Sequence, residues 1–137
     1  MNVQRPSGDS FWWRRLGLGL GAAILVWLPF EESSEIIPIL LAAGLCGWAA
    51  MRLLAEAEAT PNRLVLRSIA AGALAGLLVS PAAFSLMSIK SGLHAHPQPD
   101  YTVAQIQEVF FRTQYFAASG FLLGLASALY RLARQEE

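Results

Sequence analysis

The sequence predicts an all-α polytopic membrane protein, a four-helix transmembrane bundle. Three observations carry this: an apolar composition, four long runs almost free of charge, and arginines concentrated at alternate connections. Of 137 residues, 55% are apolar and only 15% charged, against about 25% charged in a typical soluble domain. Mean hydropathy is +0.44, and the charges cluster between the apolar runs instead of spreading over a wetted surface. Formal net charge is zero and no basic stripe is interleaved with base-stacking aromatics, so no nucleic-acid partner is expected. The single cysteine, Cys46, lies inside an apolar run and excludes an intramolecular disulfide.

The first run, 11–30, is interrupted only by Arg14 and Arg15. At about 1.5 Å per residue, roughly 20 helical residues match a hydrocarbon core about 30 Å thick. Trp12 and Trp13 sit beside the arginines as an aromatic belt would, and Trp27, Pro29 and Phe30 mark the opposite interface. A cleavable signal peptide is the rival reading, but no small-x-small site precedes Glu31, which favours an uncleaved anchor. The second run, 36–54, is entered through Ser33 and Ser34 as N-cap candidates, with Pro38 in the first turn, where a missing N–H is tolerated. Its helix is expected to continue through Glu56 and Glu58 until Pro61 and Asn62 stop it.

The third run, 64–89, has Arg67 in its first turn and Pro81 flanked by Ser80, Ser85 and Ser88, so a kink is expected at Pro81. The fourth run, 115–132, is preceded by an amphipathic extension over 103–114. Thr102 and Gln105 have the spacing of a capping box, and Val103, Ile106, Val109 and Phe110 recur at helical intervals beside Gln107, Glu108 and Arg112. This extension is expected at or just above the membrane interface, with Phe110, Phe111, Tyr115 and Phe116 as its aromatic belt.

Lysine and arginine placement predicts the orientation, because short loops rich in them stay cytoplasmic. Arg5, Arg14 and Arg15 precede or open the first span, Arg52, Arg63 and Arg67 flank the second connection, and Arg131 and Arg134 lie at the end of the fourth. Residues 31–35 carry none, and the connection after the third span has only Lys90 and Arg112. Both termini are therefore expected in the cytoplasm, in a bacterial inner membrane.

Within lipid, helices associate through close approach at small residues. Gly17 with Gly21, Gly72 with Gly76, and Gly120 with Gly124 are each spaced four apart, and Ala43 with Gly47 supplies a similar face on the second span. These stripes are candidates for packing the bundle, or for a homodimer or larger membrane complex if one faces outward. A weak internal repeat, Arg14–Val26 laid on Arg67–Val79 and Ala49–Leu53 on Ala128–Leu132, suggests two tandem helical hairpins.

No Asp, Glu, Lys, Arg or His falls in the middle of any of the four runs, which disfavours a self-sufficient proton-coupled pump. No GxSxG elbow, P-loop or HExxH is present, so no enzyme is expected. The segment with chemical character is Lys90–Asp100, which holds both histidines. In an extended backbone His94 and His96 project to one side, and imidazole is a good ligand for transition metals. Asp100 or Glu108 would add an oxygen, although two histidines are only half a tetrahedral site. Lys90 reads as a cationic anchor snorkelling to the interface. The sequence thus favours a non-catalytic membrane protein without a cofactor, an accessory subunit or homo-oligomer acting through helix packing and outer-face contacts. The alternative is a metal-handling protein that captures a transition-metal ion at His94, His96 and Asp100.

Overall fold

The computed structural model describes residues 8–55, 60–94 and 99–134. They form five helices and no strand: α1 (Gly8–Trp27), α2 (Ile36–Ala55), α3 (Pro61–Leu93), α4 (Val103–Phe111) and α5 (Thr113–Ala133). Three stretches are long and apolar enough to cross a membrane, namely Ile36–Ala55, Asn62–Leu93 and Val103–Ala133. α1 is not among them, because the adjacent Arg14 and Arg15, with the glycines that follow, lower the hydropathy of its 20 residues.

Local chemistry explains the helix ends. The Ser34 hydroxyl accepts from the Ile36 N–H at 3.3 Å, and Pro38 sits in the first turn of α2, so its missing donor breaks no ladder bond. Pro61, expected to stop α2, is instead the first residue of α3, a position its fixed φ suits. The expected run of α2 through Glu56 and Glu58 lies outside the described residues. Thr102 and Gln105 make a reciprocal capping box, with both bonds formed.

α3 is the central helix, packed along much of its length against α5 and on another face against α2. Its 33 residues extend about 50 Å, well beyond one hydrocarbon core. The helix runs through Pro81, and the nearby serines all donate to carbonyls: Ser80 to Val109 at 2.8 Å, Ser85 to Pro81 at 2.8 Å and Ser88 to Phe84 at 2.9 Å. Thr113 donates in turn to Ser80 at 2.7 Å. The Ser80 and Thr113 bonds flank Arg112, where α4 gives way to α5 and both Tyr115 and Phe116 donate to the Arg112 carbonyl.

The crossing of α3 and α5 depends on four glycines. A Cβ on Gly72 would collide with the Gly120 carbonyl oxygen, one on Gly76 with the Phe116 carbonyl oxygen, one on Gly120 with the Gly72 carbonyl oxygen and one on Gly124 with the Ser68 carbonyl oxygen. The backbones thus touch, which only residues without side chains permit. The α1–α2 contact is of another kind. A Cβ on Gly17 would meet the Trp48 indole at 2.8 Å, whereas nothing lies within 4 Å of one on Gly21 or Gly47. Ala43 is exposed, and its neighbour Ala42 joins Ile39 as the α2 residues of the core.

Candidate functional site

The two ends of the bundle differ in charge. Arg14, Arg15, Arg52, Arg63, Arg67, Arg131 and Arg134 lie toward one end, the basic end. Glu31, Glu32, Glu35, Asp100 and Glu108 gather with Lys90 and Arg112 at the other, the acidic end. At the basic end Arg131 donates to the Leu54 carbonyl at 3.3 Å, closing the last turn of α2 against α5. The core cluster sits in the acidic half and comprises Trp27, Ile39, Ala42, Val79, Ala83, Leu86, Met87, Tyr101 and Val109.

Lys90 belongs to this core. Its side chain is 0% exposed, so the expectation of a snorkelling anchor is overturned. Val79, Ala83, Leu86 and Lys90 recur at intervals of four, three and four, which places Lys90 on the buried face of α3. The ammonium donates to the Glu32 carbonyl and lies over the rings of Trp27 at 4.6 Å and Tyr101 at 5.8 Å. A backbone oxygen and two π-faces thus take the place of water around a cation that would be costly to bury alone.

The segment that precedes α4 packs over this box. The Tyr101 hydroxyl is buried, and no described residue gives it a hydrogen bond; the same holds for Trp27 Nε1. Burial pushes the Tyr101 phenol up to about 12, with the carboxylates of Asp100 and Glu32 adding to the shift. Gln105, beyond its cap, donates from Nε2 to the Ser33 carbonyl at 2.7 Å and faces the Glu35 carboxylate at 3.4 Å. The α1–α2 connection is therefore held from two sides, by Lys90 of α3 and by Gln105 of α4.

His94 caps α3, its backbone N–H donating to the Lys90 carbonyl at 3.2 Å. Its Nδ1 stands 3.0 and 2.9 Å from the two Asp100 carboxylate oxygens, and both side chains are largely buried. Of the residues expected to hold a metal, His94 and Asp100 are brought together, bonded to each other, while His96 lies outside the described residues. Glu108 pairs instead with Arg112 at 3.0 Å within its own helix. Among the described residues no group of three or more His, Cys, Asp or Glu is placed to hold a metal ion.

No family model, curated protein or solved structure matches the chain.

Sequence reasoning missed Lys90, Trp27, Tyr101 and Gln105 as a joined group. The signal for Lys90 was its continuation of the buried α3 periodicity past the third run. For Tyr101 and Gln105 no short-range signal exists, because each works through a partner roughly 70 residues away or on another helix.

Proposed function

We propose that this chain is a non-catalytic integral membrane protein of four spans, α1, α2, α3 and the α4–α5 unit. It has the basic end in the cytoplasm and acts as an accessory subunit or small homo-oligomer through helix packing and its outer face. The observation that carries this reading is how the polar groups of the acidic end are used. Lys90 ties α3 to the α1–α2 connection, Gln105 ties α4 to that connection, and His94 ties the α3 terminus to Asp100. These contacts build a rigid outer cap, a binding platform more than a reaction centre. The exposed apolar residues Leu18, Leu25, Leu40, Leu66, Leu78 and Leu123 fit a lipid-facing belt. The positive-inside bias supports the orientation.

The test has two parts. Carbonate-washed membranes should retain the protein, and single cysteines placed near Glu31 and near Arg134 should be labelled from opposite sides. Isolation in mild detergent should then yield either a homo-oligomer or a stoichiometric companion chain; a solitary monomer would reject the accessory role.

One observation favours a second reading, a metal-handling outer loop. A carboxylate on one ring nitrogen commonly orients a metal-ligating imidazole that binds through the other. The Asp100–His94 bond at Nδ1 has that form, which makes Asp100 an orienting group and leaves His94 and His96 as the candidate ligands. Metal analysis of the purified protein and of the His94→Ala/His96→Ala variant decides it: absence of stoichiometric metal in the wild type removes this reading.

A further inference from the structure

On one flank of α1 the surface is concave. A cavity of about 320 Å³ is lined by Trp12, Arg15, Leu16, Gly19 and Leu20 and is almost wholly apolar. That volume lies at the low end of ligand sites, about 300–1,000 Å³. Its lining positions recur at helical spacing along one α1 face, and Gly19 opens it: nothing lies within 4 Å of where a Cβ would stand. Among the described residues that line it, Arg15 alone is charged. Its guanidinium stacks on the Phe11 ring at 3.9 Å beside the groove, and the residue is exposed.

From this we infer that the groove is a binding site for one anionic phospholipid, its phosphate on Arg15 and part of an acyl chain over Gly19. The inference rests on the membrane reading above. Charge complementarity selects the occupant. An apolar slot alone fits any hydrocarbon, but an exposed arginine beside it, free to swing its guanidinium to the mouth, matches the paired oxygens of a phosphodiester. The adjacent exposed Arg14 raises the local positive potential, so an anionic headgroup gains over a zwitterionic one. Trp12, 65% exposed, stands where an indole lies along the glycerol level of a bilayer.

The experiment uses the full chain, carbonate-washed in its membrane, extracted in mild detergent and examined by native mass spectrometry with added phosphatidylglycerol or phosphatidylcholine. The wild type should retain one phosphatidylglycerol in preference to phosphatidylcholine. Arg15→Gln should lower that preference about tenfold, the expected loss for one charge-assisted contact. Gly19→Leu should abolish retention of both lipids without unfolding α1, since its side chain enters open space. Glycerol 3-phosphate should not compete. Equal retention of the two lipids, unchanged retention in both variants, or competition by glycerol 3-phosphate would each overturn the inference. So would a wild-type dimer that Gly19→Leu dissociates, because a second copy would then fill the groove. Failure of the carbonate wash to retain the chain would instead strike the membrane reading, so the two failures are distinct.

Discussion

Two helix pairs in this protein carry the same small-residue spacing and use it differently. Between α3 and α5, Gly72, Gly76, Gly120 and Gly124 face one another and the backbones meet. Between α1 and α2, Gly17 receives the indole of Trp48, and Gly21 opens to the surroundings. The Trp48 indole also donates from Nε1 to the Trp13 carbonyl at 3.0 Å, one turn before Gly17, where the missing Cβ clears the approach. A small residue permits close approach, but the facing surface decides whether backbone or side chain fills the space. The first arrangement cannot yield without separating the helices; the second can yield by turning a ring.

The sharpest way to break this contrast is to fill both notches. Gly72→Leu should destabilise the bundle by about 3 kcal/mol or more, since overpacking there meets backbone that cannot move aside. Gly17→Leu should cost less, about 1–2 kcal/mol, because the Trp48 ring it meets can turn aside. Denaturant titration in detergent compares them, and similar losses would mean that α1 is held as tightly as α5.

Next in size is the pin at the acidic end. Lys90→Ala should cost about 2 kcal/mol, by removing the donor to the Glu32 carbonyl and the packing against two rings. Lys90→Met, which keeps the stem volume, should recover roughly half of that. If both variants matched the wild type, the ammonium would contribute nothing to joining the loop to α3. A smaller effect is expected for Trp48→Phe, about 1 kcal/mol from one lost hydrogen bond. Amide exchange should rise in α1 and stay unchanged along the α3–α5 glycines; a uniform rise would show that the two pairs are coupled.

The smallest effect belongs to Tyr101. Its hydroxyl makes no hydrogen bond with any described residue, so Tyr101→Phe should leave stability at neutral pH unchanged or raised by about 1 kcal/mol. The folded phenol is raised from 10.0 to about 12. The neutral form is therefore the folded form, and its contribution is whole below about pH 10 and lost as pH rises through 12. Stability measured between those limits should fall more steeply for the wild type than for Tyr101→Phe, and parallel curves would exclude a buried phenol.

Much of the helical layout was legible from residue order alone, for local reasons. Helix positions follow from uninterrupted apolar runs, the start of α4 from the Thr102–Gln105 spacing, and the place of Pro38 from its missing donor. The candidate site was legible only in fragments. His94 and Asp100 stand six residues apart and their pairing is short-range, yet the bond to Nδ1 gives Asp100 an orienting position that spacing could not reveal.

The sequence by itself determined that the chain is helical and that charge separates toward two ends, and of the four spans expected from it three stretches are long and apolar enough to cross a bilayer, because periodicity, length and charge are properties of neighbouring residues. Only the tertiary structure decided which glycines meet glycines and which meets an indole. It also decided that Lys90 turns inward to Trp27 and Tyr101 instead of outward to water. The reason is the same in each case: a side chain's environment is supplied by another helix, and no spacing within one helix specifies what that neighbour presents.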